Sequence, residues 1–245
     1  MNNTWIILGA TSGMARAFAR QQAEAGDALV LCARNTDEAK ALAADCSARG
    51  AADASTFPID IRNAASFDPI LEDARSREGV INVAVFVGSM PQQDAIDADP
   101  TLIAGTVTDS FSGPAEFLTR IAPQLEARGR GAVVGISSVA GDRGRLGNYV
   151  YGAAKAGFTA YLSGLRNRLA RSGVHVMTVK PGPVDTPMTW DLGPHPFMST
   201  PEAVAADIAK GLRLGWNTLY TRRIWLLVMM VIRLIPEPIF KRLKI

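Results

Sequence analysis

The stretch Thr4-Trp5-Ile6-Ile7-Leu8-Gly9-Ala10-Thr11-Ser12-Gly13-Met14-Ala15 decides how the rest of the chain is read. Thr4 to Leu8 is a short apolar run of strand type. The helical pattern that follows reaches Ala25, and Gly26 ends it. Strand, glycine turn and helix N-terminus together make a cradle for phosphate: glycine lets the backbone approach, and the N–H groups of the first helical turn face an anion. Gly9, Thr11, Ser12, Gly13 and Met14 are therefore candidate nucleotide contacts. The third small residue of the pattern is Ala15, which still allows close helix packing. Alone, such a stretch is also an ordinary tight connection, so the segments around it must decide.

Strand and helix patterns alternate from there on. Ala28 to Cys32 is a second strand, ending in Ala33-Arg34-Asn35. At that strand tip, a dinucleotide site tests the adenosine ribose. An acid there takes the 2′-hydroxyl of NAD, whereas arginine suits a 2′-phosphate. Arg34 predicts NADP(H) as the preferred cofactor, with NAD(H) possible; the competing role is a solvated surface arginine. Helix 36–49 and strand 54–58 lead to Asp60-Ile61, where Asp60 is placed either to contact the adenine edge or to cap the next helix, about 64–77. Val80 to Val87 is a continuous apolar run, as in a buried parallel strand, and Gly88 follows where backbone must pass close to a ribose. Asp99-Pro100 predicts the start of a long helix to about Arg128, with kinks or breaks at Pro114 and Pro123. Further strands are predicted at 131–137, 174–179 and 218–220, and a helix at 201–214. This succession predicts one α/β domain, a doubly wound parallel sheet of about seven strands in three layers, over residues 1–221.

The chemistry-bearing residues lie late in the chain. Tyr151 and Lys155, in Tyr151-Gly152-Ala153-Ala154-Lys155, share one face of a helix. An ammonium there can lower the phenol's pKa from about 10 toward neutrality, making it a proton donor to a carbonyl or acceptor from an alcohol. Ser138, thirteen residues upstream at a strand end, can hydrogen-bond the same oxygen. The loop 139–148 carries Arg143 and Arg145 and is expected to be exposed and to touch substrate. Residues 187–200 form a predicted lid rich in Met188, Trp190, Pro194, His195, Phe197 and Met198, which suits an apolar substrate. His175, inside a strand pattern, is expected to be structural.

Composition narrows the classes. A chain of 245 residues that is 48% hydrophobic suits one large domain, and a net charge of +3 does not point to nucleic acid. Cys32 and Cys46 have neither disulfide-framework nor metal spacing, so no metal site is expected. No basic leader precedes the first strand, so a cytoplasmic protein is expected. From Arg222 onward the balance is six basic residues against one acid. Ile224 to Ile232 is an apolar run far shorter than the ~20 residues that span a bilayer. Two short helices hinged at Pro236 could lie on an anionic membrane surface, cover a subunit surface or close the substrate pocket.

In order and spacing, Gly9-Ala10-Thr11-Ser12-Gly13-Met14-Ala15, Ser138, Tyr151-x-x-x-Lys155 and Pro181-Gly182 resemble the short-chain dehydrogenase/reductase family over about residues 4–220. The resemblance implies a Rossmann-type sheet with a nicotinamide cofactor at the strand C-terminal ends. It implies Ser138 as carbonyl hydrogen-bond donor, Tyr151 as acid/base, and Lys155 both tuning the tyrosine and holding the nicotinamide ribose. Pro181, Gly182, Val184 and Thr186 would hold the carboxamide and phosphate side. It also implies a homodimer or homotetramer paired through helices 100–127 and 149–171. Activity would be NADPH-dependent reduction of a ketone; an NAD-dependent alcohol dehydrogenase or a low-turnover cofactor-binding scaffold are the alternatives. Two departures stand out. Val85-Phe86-Val87-Gly88 replaces an Asn-Asn-Ala-Gly motif, leaving backbone or apolar contacts to adenosine. Ser110 stands where the family has a catalytic asparagine anchoring a proton-relay water, a role that Asp109 or an extra water would have to supplement. The tail, 222–245, resembles that of reductases acting on decaprenylphosphoryl keto-pentoses, which implies a lipid-linked carbonyl substrate at the inner membrane face.

Overall fold

The computed structural model describes residues 3–192 and 197–243. Along β1 (Asn3–Leu8), Trp5 and Ile7 point to one face and Ile6 and Leu8 to the other, and all four are buried. That is the signature of a strand covered on both sides. The same holds for β2 (Ala28–Ala33), β4 (Val80–Val85), β5 (Ala132–Ile136) and β6 (His175–Lys180). With the edge strands β3 (Asp53–Pro58) and β7 (Thr218–Tyr220) they form one parallel sheet in the order β3-β2-β1-β4-β5-β6-β7.

Two cores result, one per face. Ile6, Leu8, Val30, Val83, Val85 and Val133 pack under α3 (Asp68–Ser76), α6 (Gly113–Arg128) and α7 (Tyr149–Leu169). Trp5, Ile7, Leu29, Leu31, Val134 and Met177 pack under α1 (Gly13–Glu24), α2 (Thr36–Ala48) and α8 (Pro201–Arg213). Edge-to-face aromatic pairs anchor both layers: Trp5 on Phe18 at 5.0 Å and Phe67 on Phe117 at 5.5 Å. Strand order reverses between β1 and β4, so the crevice opens at their carboxyl ends, beside Gly9 and Gly88.

The segment before β5 differs from the predicted single helix. A short helix, α4 (Gln93–Ala98), comes first. Asp99 then accepts hydrogen bonds from the Thr101 N–H and hydroxyl, and α5 (Leu102–Val107) leads through one wide π-turn, Thr108–Ser112, directly into α6. Pro114 sits in the first turn of α6, just after the π-turn, and Pro123 is accommodated inside that helix without ending it. The irregularity, Thr108–Ser112, comes directly before Pro114, whose missing N–H would otherwise bond the Ser110 carbonyl.

The tail folds back onto the domain. In α9 (Ile224–Leu234), Trp225 and Met229 are buried against Val139, while Leu226, Leu227, Met230, Val231 and Leu234 are exposed. Pro236 precedes the single turn α10 (Glu237–Phe240), as the hinge reading predicts. Among the described residues no helix is long and apolar enough to cross a membrane. His175 meets the Trp216 carbonyl at 3.2 Å at the start of β6, the sheet end away from the crevice. Cys32 and Cys46 are buried free thiols, both pushed up in pKa by burial.

Candidate active site

Two cavities share the crevice and meet at Phe86, Val87 and Gly88. The first is a trough of about 280 Å³, lined by Gly9, Thr11, Ser12, Arg34, Ile61, Gly88 and Ser89 among others. Gly9 has φ +76°, which only glycine adopts without strain, and a Cβ there would lie 3.2 Å from Val87. The Ser12 hydroxyl is buried in the trough without a partner, and Ser12 is the residue before the first turn of α1. An orphaned donor at a helix N-terminus suits a phosphate oxygen. Arg34 is exposed at the β2 tip and makes no hydrogen bond with the protein. These residues fit a dinucleotide.

Gly13 lies just inside α1, where a Cβ would meet Thr186 at 3.2 Å. Asp60 is different. Its carboxylate accepts from the Arg62 N–H in a local turn and is exposed, the next turn is capped by Asn63, and the trough wall is formed by its neighbours Ile59 and Ile61. Asp60 thus lies outside the trough wall, its carboxylate turned to its own backbone, as an acid after a strand often is. At 85–88 the trough wall is Phe86, Val87 and Gly88, apolar or glycine as expected, and Ser89 and Asp109 add polar groups beside it.

The second cavity, about 310 Å³, contains Met14, Ser138, Tyr151, Lys155, Pro181, Gly182, Val184 and Thr186 together. The ends of β5 and β6 are tied by hydrogen bonds from Ser137 N–H to Val179 and from Val139 N–H to Pro181, which sets Pro181-Gly182 beside Ser138. The α7 helix brings up Tyr151 and Lys155, and Lys155 Nζ donates to the Ile136 carbonyl at 2.9 Å. The Ser138 hydroxyl accepts from the Ala140 N–H at 3.1 Å and acts on the Tyr151 phenol, favouring its ionisation.

The electrostatics differ from the sequence expectation. Burial pushes the Tyr151 phenol up to about 12, not toward neutrality, and burial lowers the Lys155 ammonium to about 8. Lys155 Nζ lies 5.8 Å from the Tyr151 ring centroid, under its face, and is spent on a carbonyl. The cation that opposes the rise at Tyr151 is Arg145. Spacing on a helix put both groups on one side but could not say which atom each would face.

Ser110 is fully buried and lines neither cavity. Its hydroxyl accepts from the Ser89 N–H at 3.2 Å and donates to the Ser89 carbonyl at 3.1 Å. A Cβ on Gly88 would lie 3.4 Å from that hydroxyl and 3.2 Å from Lys155 Nζ, so the serine stands near the lysine with its bonds already used. Asp109 does not serve Lys155. Arg62 grips its carboxylate through two bonds of 2.7 Å, and it faces the trough.

The two loop arginines divide their work. Arg143 donates to the Ile232 and Ile235 carbonyls at 2.6 and 2.7 Å and to Glu237 at 2.9 Å, and stacks 3.5 Å over Phe240. It clamps the tail and does not line either cavity. Arg145 lines the second cavity. Behind them the buried Asp142 takes Lys180 at 2.5 Å and the Tyr220 hydroxyl at 2.7 Å, tying the loop to β6 and β7.

Of the predicted lid, Met188 lines the cavity, whereas Trp190 is exposed and donates to Asp185 at 3.1 Å. Phe197 packs edge-on against Trp225 at 6.0 Å, and the Met198 carbonyl accepts from Arg222 at 2.7 Å. Pro194 and His195 lie outside the described residues. Trp225 is the functional residue that the sequence did not single out. It lines the cavity, and a Cβ on Gly182 would fall 2.1 Å from its Nε1. Its only sequence signal is an indole inside an otherwise aliphatic run facing a Pro-Gly stretch. Of the three roles open to the tail, its inward face bears on the pocket, packing on Val139 and giving Trp225 to the cavity wall.

The comparisons agree with this geometry. Residues 3–196 match the short chain dehydrogenase family. An uncharacterized oxidoreductase of Mycobacterium tuberculosis is 34% identical over 241 residues, covering 97% of this chain and 96% of its own. Sulfoacetaldehyde reductase 2 of Chromohalobacter salexigens is 32% identical over 195 residues, covering 77% and 75%. Among solved structures, a short-chain dehydrogenase from Sphingobium yanoikuyae in complex with NADPH superposes with a TM-score of 0.82 at 22% identity over 94% of this chain and 93% of that one. One from Burkholderia cenocepacia in complex with NADP gives 0.84 at 18% identity over 98% and 97%. The chain is an oxidoreductase-type α/β protein that belongs to the short-chain dehydrogenase/reductase family.

Proposed function

We propose that the protein is an NADPH-dependent carbonyl reductase. The observation that carries this is the meeting of Ser138, Tyr151 and Lys155 at the inner end of a cavity continuous with the phosphate-type trough. A bound nicotinamide would supply hydride, so that a ketone, a hydride and one proton give the alcohol. Ser138 would donate a hydrogen bond to the carbonyl oxygen and Tyr151 would deliver the proton to it. The buried phenol, pushed up in pKa, keeps its proton at neutral pH and so stands as a proton donor. Lys155 would hold the ribose and take up part of the charge change. The similar Chromohalobacter salexigens protein is a sulfoacetaldehyde reductase, and that aldehyde reduction supports the direction.

Arg34 supports the cofactor preference: an unpaired guanidinium at the ribose end of the trough suits a 2′-phosphate. The test is oxidation of NADPH and NADH by a panel of ketones, with wild type and Arg34→Asp. The expected result is a preference for NADPH that Arg34→Asp reduces by about tenfold to a hundredfold. Equal use of both cofactors by both proteins would contradict it.

A low-turnover alternative has one observation in its favour, the Ser110 hydroxyl committed to the Ser89 backbone and so not holding a relay water. Single-turnover rates far above steady-state rates would support it.

We extend the proposal to the substrate's location. The outward apolar face of α9 lies between Arg222, Arg223 and Arg233 and the basic Lys241 and Arg242, a pattern that complements an anionic lipid surface and suits a lipid-linked carbonyl. Flotation with phosphatidylglycerol vesicles should be lost in the double variant Leu227→Glu, Val231→Glu. Loss of a homodimer or homotetramer instead would assign that face to a subunit contact.

A further inference from the structure

Arg145 is a half-buried cation that makes no hydrogen bond or ion pair among the described residues. It stands in the loop between Ser138 and Tyr151, flanked by Gly144 and Gly147, and lines the reaction cavity with both catalytic hydroxyls. Its Nε is shielded from solvent and bonded to nothing, and the guanidinium makes no hydrogen bond or ion pair. The carboxylate that acts on it through space, Asp142, is already occupied by Lys180 and Tyr220. The cavity lining contains no aspartate or glutamate among the described residues. Its loop neighbour Arg143 is saturated by the tail.

A guanidinium half withdrawn from water, with its Nε shielded and unbonded, is unfavourable, and a ligand that brings an anion relieves it. The phosphate cradle does not account for it, since Ser12 and Arg34 face the other cavity and Arg145 does not line that trough. The guanidinium offers a planar fork that matches carboxylate, phosphate or sulfonate oxygens with two bonds. It shares the cavity wall with Ser138 and Tyr151, the groups that would face the reacting carbonyl.

We propose that Arg145 recognises an anionic group that the substrate carries beside its reacting carbonyl, so that the substrate class is a 2-oxo acid or a ketone with a neighbouring phosphate or sulfonate. This rests on the carbonyl-reductase proposal. It narrows the substrate from ketones at large to anionic ones and makes Arg145 a specificity residue.

The experiment compares benzoylformate with its methyl ester as substrates of the NADPH-loaded enzyme, in wild type, Arg145→Gln and Arg145→Lys. The expected result is a higher kcat/KM for the acid in wild type, although the ester is the more electrophilic ketone. Arg145→Gln should reduce the acid-to-ester ratio by about tenfold to a hundredfold, and Arg145→Lys should restore part of it. NADPH affinity measured in each variant reports that the fold is intact. A ratio unchanged in Arg145→Gln overturns the proposal, because the residue would then merely tune Tyr151 or shape the loop. A second arm measures phenyl phosphate binding by tryptophan fluorescence, Trp225 being in the cavity wall. If neither ketone is reduced but phenyl phosphate binds and Arg145→Gln abolishes that binding, the anion site stands and the reductase proposal falls. If phenyl phosphate binding does not depend on Arg145, the anion site falls.

Discussion

The trough and the reaction cavity are two ends of one crevice, yet they are built in opposite ways. The trough is made by strand tips and their first turns: Gly9 after β1, Arg34 after β2 and Gly88 after β4. Each lies within a few residues of a strand buried on both faces, so the sheet fixes its position. The reaction cavity is assembled from segments distant in sequence. Loop 139–148, the 181–189 segment and the tail meet there, held by the Asp142–Lys180 pair and the Arg143 clamp. The first end is local and backbone-driven. The second depends on a few long-range polar contacts, and there the chain differs most from what a motif would foretell. Substitutions should therefore separate the two ends cleanly.

The largest separation is expected at Tyr151. In Tyr151→Phe, kcat for the best ketone of a panel should drop about a thousandfold or more, while NADPH affinity stays within about twofold. A parallel loss of both would mean the phenol holds cofactor, not substrate.

Next comes the polar support behind the loop. Asp142→Ala leaves Lys180 buried without its counter-ion and should cost about 3–5 kcal/mol in denaturant unfolding. The exposed Arg34→Asp change at the trough should cost under about 0.5 kcal/mol. Equal costs would erase the distinction between the two ends.

Lys155, in the reaction cavity beside the shared Gly88, gives a pH test. Its folded value, about 8, lies below the ordinary lysine value of 10.5, so the unfolded chain binds more protons between those values. Burial of the charged amine therefore opposes folding fully below pH 8, and this opposition fades as pH rises toward 10.5. Lys155→Met without cofactor should be more stable than wild type at pH 7, by at most about 3 kcal/mol less the lost bond to Ile136. The advantage should shrink across pH 8 to 10.5, and a constant advantage would exclude a titrating lysine as its origin.

The smallest expected effect is at the clamp. Arg143→Leu should loosen 224–243, seen as faster amide exchange there, and raise KM for the ketone about tenfold with NADPH affinity unchanged. Changes in cofactor affinity would show that the tail serves the trough as well.

The same contrast explains what the sequence revealed. Seven strands and the glycine turn were legible because buried parallel strands read as continuous apolar runs and a phosphate cradle is a local pattern. The convergence of Ser138, Tyr151 and Lys155 was legible from spacing along one helix and one strand end. The direction of the Tyr151 shift was not, because it depends on desolvation set by the whole fold. Nor were the separate fates of Arg143 and Arg145, two residues apart in a loop with no period to orient them. The π-turn at Ser110 also escaped, since its helix pattern is continuous on either side. Trp225 was hidden because only tertiary contact with Gly182 brings it to the cavity.

The most direct test of the central claim is single-turnover stopped-flow of the NADPH complex mixed with a panel of anionic and neutral ketones, following loss of nicotinamide absorbance. The account predicts rapid loss with at least one anionic ketone in wild type and almost none in Tyr151→Phe, with NADPH still bound. Equal rates in the two proteins, or no loss with any ketone despite tight NADPH binding, would contradict it.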